Sequence, residues 1–330
     1  MSLAQIVNAW NSFFFEELSP LPMAVFRIAV GLLVLLFAFQ LCPDLTIWYG
    51  PNAIISQTTL ARVSAWTKFN LLTLLPNDEF SVWVFFLIFV LAAFFLTVGF
   101  LSRTSAILVF AGMLSLHSSN TLILNSGDNL LRLLVLYLVF SPAGRALSID
   151  NLIRRRFSKK SSTNVYSPVA QRIVQLQMIA IYCQAFWTKL VGVTWLDGTA
   201  MYYCSRLEEY WRFSVPQAID HILVYQLLSW GTLVVEFSLW TLIWVRELRP
   251  FVLLLGIALH LGIEITMNVN FFSYIMLSCY ITFLSDRQIK TALEWLKSGA
   301  FPTNNFRKPL LVSRERIETI SPISHFEGLS

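Results

Sequence analysis

Eight predominantly apolar runs divide the chain, at 21–42, 80–100, 104–122, 129–144, 168–190, 221–245, 250–268 and 270–285. About 20 apolar residues in a helix cross the hydrocarbon of a bilayer. The runs are continuous rather than alternating, which excludes a closed barrel. They predict an all-α, polytopic integral membrane bundle of about eight transmembrane helices over residues 21–285. The fourth and eighth runs are short, so they predict little tilt or ends that reach past these bounds. Residues 1–20 read as an interfacial amphipathic segment, with Trp10, Phe13, Phe14 and Phe15 apolar and Glu16 and Glu17 closing the run. Residues 286–330 carry mixed charge with Pro302, Pro309 and Pro322, and read as a partly disordered cytoplasmic tail.

Composition agrees with this picture. Of 330 residues, 56% are hydrophobic and 13% charged, with a mean hydropathy of +0.63. A soluble globular chain is about 25% charged. A soluble enzyme, a disordered chain and a nucleic-acid-binding domain are thereby excluded. The basic balance belongs to the loops. Residues 145–172 hold Arg145, Arg154, Arg155, Arg156, Lys159, Lys160 and Arg172 against a single acid, Asp150. That loop is predicted to be cytoplasmic. Arg103, Arg246, Arg249 and the tail then fall on the same side, and both termini are cytoplasmic in a multi-pass protein of the cell membrane. The first twenty residues lack Lys and Arg, unlike a secretory signal. The predicted outer loops, 43–79 and 191–220, carry Trp48, Tyr49, Trp66, Trp195, Tyr202, Tyr203 and Trp211, which reads first as anchoring at the lipid headgroups. Cys42, Cys183, Cys204 and Cys279 match no metal or disulfide spacing. No phosphate-binding loop, dinucleotide fingerprint, HExxH or CxxC is present, and no internal repeat is evident.

Ionisable residues inside apolar runs are the candidates for chemistry, because a mid-bilayer charge costs about 2.5–3.5 kcal/mol. Arg27, Arg132, Lys189, Glu236 and Glu264 qualify, with His117 and His260 beside them. Depths under the eight-span reading put Asn125, Asp128, Arg132, Lys189, His260 and Glu264 in the outer half, as lining of an outward-facing pocket. Arg27 and Glu236 fall deeper, as structural charges that face protein and can pair with one another. His260 and Glu264 share a helix face at spacing i, i+4. Plainer readings stand beside these. Lys189 at a helix end can snorkel to the interface, Arg132 and Asp128 can form an i, i+4 pair, His260 can be a hydrogen-bonded core histidine, and His117 with Ser118, Ser119 and Asn120 can simply end a helix.

Several segments, in order, resemble the membrane part of vitamin K-dependent gamma-carboxylase and the wider HTTM (horizontally transferred transmembrane) family. Pro22 to Ile28 with Gly31 is similar to a first-helix "LAVFR…G" pattern. Asn125, Ser126, Gly127 and Asp128 stand where the carboxylase has Asn-Asn-His-Ser. Phe140 to Arg145 with Ser148, Ile149 and Asp150 resembles its "FMDANR…SVD" turn. Gln177, Tyr182, Ala185, Lys189, Leu190, Trp195 and Gly198 follow a further stretch, Glu236 takes the acidic place in an "LLLDLS" segment, and His260 precedes Phe272 by twelve residues as in "H…FSYVML". The resemblance covers about residues 20–285.

It implies that Lys189 is the base that begins oxygenation of a reduced quinone of the vitamin K hydroquinone type, since a neutral amine can take a proton from a phenolic hydroxyl. The histidine of Asn-Asn-His is Gly127 here, and the carboxylase's large lumenal domain has no counterpart, so carboxylation of a docked protein is not implied. Three functions remain open: a carboxylase-like enzyme acting on a quinol-type lipid or a peptide, a non-catalytic maturation or accessory factor for a secreted peptide as in SdpB-type bacterial proteins, and a transporter. The expected surroundings are a lipid bilayer, with no metal and no nucleic acid.

Overall fold

The computed structural model describes residues 2–55, 59, 69–157, 166–210 and 212–299. Trp66, Lys159, Lys160, Trp211 and the tail after residue 299, with its three prolines, lie outside the described residues. Among the described residues all regular elements are helical, apart from one isolated bridge between Leu18 and Tyr166.

The principal helices are α1 (Leu3–Phe15), α2 (Leu21–Leu41), α3 (Glu79–Val98), α4 (Ser102–Ser119), α5 (Ser126–Val139), α6 (Ile149–Phe157), α7 (Val169–Leu190), α8 (Ile222–Thr241), α9 (Arg249–Thr266), α10 (Phe272–Tyr280) and α11 (Asp286–Ser298). Their starts follow local chemistry. Asp78 accepts from Ser81 N at 2.7 Å ahead of α3, and Pro22 and Pro250 open α2 and α9, where a missing N–H does no harm. Asn125 and Asp128 form a reciprocal capping box on α5.

Each of the eight apolar runs has become one helix. Among the described residues, four apolar stretches are long and apolar enough to cross a membrane: Leu21–Tyr49, Glu79–Val98, Ile222–Trp244 and Arg249–Thr266. The others fall short of that measure, α5 and α10 by length, α4 and α7 by their serine, glutamine and charged content. The outer face of α3 shows what surrounds the chain. Phe80, Trp83, Leu87, Leu91 and Phe94 recur every three to four residues and are all exposed, while Val82, Phe86, Phe89 and Ala93 fill the opposite face. A helix apolar all round with one face uncovered belongs against lipid, not water. The protein is therefore a membrane protein in a bilayer environment.

The chain divides into Met1–Asp286 and Arg287–Ser330. In the first unit, α2 packs on α3 and α5, α3 on α4, and α4 on α5. A second group stacks α7 on α8, α8 on α9 and α9 on α10. Helix α10 touches α2, α5 and α7 and so joins the groups. The second unit holds most of α11, whose Ile289, Ala292, Leu293 and Leu296 repeat at helical spacing. That periodicity marks a helix in a tail otherwise read as irregular.

One end of the bundle is organised by Arg27, which is fully buried. Its Nη1 donates to Ala143 O at 3.2 Å, and its Nη2 donates to Leu147 O at 2.6 Å and to Thr97 O at 3.4 Å. The α3–α4 turn closes over it at Gly99, where φ is +72° and a Cβ would collide with the Arg27 guanidinium. Asp150 ties α6 to the same turn, accepting from Leu101 N at 2.7 Å, Ser102 N at 2.8 Å and Ser102 Oγ at 2.7 Å. Arg27 thus faces protein, but its partners are backbone carbonyls and not Glu236. Beside the α7 N-terminus, Arg172 donates to Phe13 O at 3.0 Å and stacks on the Phe13 ring, fixing α1, whose Leu3, Ile6, Val7 and Trp10 stay exposed.

Candidate functional site

Lys189, in the last turn of α7, meets Glu236 of α8 with Nζ to Oε1 at 2.7 Å. Glu236 lies fourteen residues beyond Ile222, so the pair is about 21 Å along α8 from its first residue. Lys189 therefore lies well along α8 from that helix's first residue. Helix α7 stops short, and the chain from Gly192 to Cys204 climbs along α8 in its place. Trp230 Nε1 donates to Leu196 O at 3.1 Å, Ser229 Oγ to Gly198 O at 3.0 Å, and Met201 N to Ser229 Oγ at 3.1 Å. Trp195 from this segment lies under the lysine, with Nζ 5.2 Å from the ring. The lysine side chain is 23% exposed and the glutamate 8%. Glu236 Oε2 is buried without a partner.

A second polar cluster lies two turns back on α7. Tyr182 Oη is 2.6 Å from His260 Nε2 and 2.7 Å from Tyr280 Oη. All three residues are buried, and His260 Nδ1 has no partner. Tyr182 and Lys189 are seven residues apart and share one face of α7, and Glu236 is within electrostatic reach of Tyr182. His260 is thus a hydrogen-bonded buried histidine at the head of a short polar chain. Tyr280 escaped the sequence reading. Its one trace is Gly256, one turn before His260, where a Cβ would strike the Tyr280 hydroxyl.

The other candidates bond to different partners. Asp128 is spent in the capping box, accepting from Asn125 N at 3.0 Å. That turns its carboxylate toward the N-cap, so no ion pair with Arg132 forms, and Arg132 donates to Asn129 Oδ1 at 3.1 Å instead. Arg132 remains within electrostatic reach of His117, which is buried with both ring nitrogens unpartnered. Among the described residues no hydrogen bond or ion pair joins Asn125, Asp128 or Arg132 to Lys189 or His260. Glu264 pairs with Arg212 of the 191–220 loop, Oε1 to Nη2 at 3.2 Å, rather than with His260 one turn away. Arg212 carried no signal in sequence.

The 191–220 loop is itself pinned. Arg206 Nη2 donates to Asp220 at 2.7 Å and stacks on Tyr202 with its guanidinium carbon 3.9 Å from the ring. Tyr225 Oη also donates to Asp220, at 2.7 Å. Donation from Arg206, then from Tyr225, holds the Asp220 carboxyl below its usual range and raises Arg206 above its own. Under this loop lies a cavity of about 350 Å³. All four cysteines are free, and among the described residues no group of three His, Cys, Asp or Glu could hold a metal.

The HTTM domain family model matches residues 15–287. The chain belongs to the HTTM family. The match takes in every helix from α2 to α10 and both polar clusters. No curated protein and no solved structure matches this HTTM chain.

Proposed function

We propose that this HTTM protein is a multi-pass protein of the cell membrane, with eight spans and both termini cytoplasmic, that acts on a quinol-type lipid or a peptide with Lys189 as the proton acceptor. The observation that carries the reading is the half-satisfied pair of Lys189 and Glu236. At 2.7 Å the lysine can hand its proton to Glu236. The neutral amine then takes the proton of a phenolic hydroxyl, which becomes a phenolate beside the re-formed ammonium. The buried Glu236 Oε2 and the 23% exposure of Lys189 leave the pair able to receive a polar group. The Tyr182–His260–Tyr280 cluster extends the polar path on the same helix face.

The resemblance to gamma-carboxylase motivates the reduced quinone as substrate. The test is a structure in lipid nanodiscs with a prenyl hydroquinone added: ring density against Lys189 supports the proposal, and density confined elsewhere contradicts it. Orientation is checked by cysteine labelling, which should reach a site at Gln217 only from outside and one at Arg155 only from inside.

A second reading rests on the same pair. A lysine neutralised by glutamate satisfies the bilayer without chemistry, as suits an accessory factor that holds a secreted peptide. An adjacent gene for a small secreted precursor would favour it.

A further inference from the structure

We infer that α6 lies along the bilayer surface at the Arg27 end and gathers anionic phospholipids, with Arg154, Arg155 and Arg156 holding their phosphate groups. The inference does not involve Lys189 and stands whatever chemistry that residue performs.

The helix presents two kinds of surface. Ile149, Leu152, Ile153 and Phe157 fall at helical spacing on one face, and all four are exposed. On a helical projection Arg154 and Arg155 flank this stripe on either side, and Arg156 interrupts it in the last turn. Arg155 and Arg156 are exposed and Arg154 is half-buried. Among the described residues none of the three has a hydrogen-bond or ion-pair partner for its side chain. The one acid of the helix, Asp150, is already engaged. Its Oδ1 accepts from Leu101 N, and its Oδ2 accepts from Ser102 N and Oγ. Three uncompensated guanidiniums beside four uncovered apolar side chains fit a partner that is apolar at one level and anionic at the next. A bilayer containing anionic phospholipid is such a partner.

The place of the helix decides between a lipid surface and a soluble acidic protein. Besides the Asp150 carboxylate contacts, Asp150 N donates to Gly99 O at 3.0 Å. Ser148 Oγ caps the helix by accepting from Asn151 N at 3.0 Å and donates to Gly144 O at 2.6 Å. These bonds hold the first turn of α6 to the end of α3, a helix long and apolar enough to cross a membrane, whose Leu91 and Phe94 are exposed. Leu101 and Leu147, at the same junction, are exposed and apolar too. A helix held at the end of a span has its apolar stripe where the bilayer begins, and long arginine stems reach the headgroups from there. The chain's own sequence offers no acidic counterpart. Lys159 and Lys160 follow α6, and residues 300–330 carry four basic residues against three acids.

The test uses the full-length protein in phosphatidylcholine nanodiscs doped with one of two photoreactive lipids. One is phosphatidylglycerol and the other phosphatidylcholine, each with the same diazirine near the headgroup. The phosphatidylglycerol probe should label residues 149–157 at least about fivefold more than the phosphatidylcholine probe, about the effect of one arginine at an anionic surface. Combined Arg154→Gln, Arg155→Gln and Arg156→Gln should bring the two probes level. Lysine at the same three positions should keep most of the preference, since the charge is retained. Leu152→Ser with Phe157→Ser should weaken labelling by both lipids, because the stripe no longer holds the helix at the surface. Equal labelling of this segment by the two lipids in the wild type overturns the inference. Absence of labelling by either also overturns it, and gives the helix to a soluble acidic partner. Both of these outcomes are read on the wild type, so they stand even if a variant fails to fold.

Discussion

Arg27 and Lys189 are both cations inside the helical bundle, and the protein treats them differently. Arg27 has no exposed surface, and both terminal nitrogens are bonded to three carbonyls from two chain segments, leaving only its buried Nε without a partner. Lys189 has one anionic partner, keeps 23% of its side chain open, and leaves that partner with an unbonded oxygen. A buried charge whose bonds are nearly complete holds a fold together and has little left to offer a ligand. A pair left half finished is costlier for the fold and available for chemistry. The contrast fits a structural part for the Arg27 end and the proposed chemistry at Lys189.

The comparison breaks if the two respond alike to mutation. Arg27→Ala should have the largest effect on the fold. It strands three carbonyls at a helix junction, and a loss of about 3 kcal/mol or more is expected, read as a lower thermal midpoint in detergent and poor accumulation. Gly99→Ala should act at the same junction with about 1–2 kcal/mol from the left-handed backbone alone, and more because its Cβ meets Arg27. Tyr182→Phe should cost about 1 kcal/mol of stability yet reduce function beyond that, if the polar chain serves Lys189. Equal losses in melting and activity would make the chain structural.

The smallest effect concerns pH and sharpens the loop side of the comparison. Asp220 has a folded pKa below its unfolded value of about 3.9, chiefly from Arg206. Its contribution is complete above that value and is lost as pH falls through the lower, folded one. Hydrogen exchange in residues 206–220 should therefore rise only below about pH 4. Opening near neutral pH would show that the Arg206 clamp does not close the loop.

Hydropathy alone located these elements well, since the eight apolar runs coincide with helices to within a few residues; 21–42 became Leu21–Leu41 and 221–245 became Ile222–Thr241 with a 3-10 turn to Trp244. Burial of Arg27 and Glu236 also followed from the cost of a charge in lipid. Partners were not legible. Periodicity gives a residue's face and its depth on its own helix, and says nothing of where a neighbouring helix stops. Lys189 ends α7, but the segment from Gly192 to Cys204 continues along α8, and the partner that this brings to the lysine, Glu236, could not be read from either helix alone. Asp128 and Arg132 looked paired by spacing, and the capping box took the carboxylate first. Long-range partners such as Arg212 for Glu264 leave no trace in one sequence.

The most direct test of the account is Lys189→Arg, assayed for any functional readout, including maturation of a neighbouring peptide. Arginine keeps the charge, the apolar stem and the ability to pair with Glu236, but does not give up its proton. The account predicts activity reduced by about a hundredfold or more, comparable to Lys189→Ala, with the thermal midpoint close to wild type. Wild-type activity in the arginine variant would contradict it and leave Lys189 as a structural partner of Glu236.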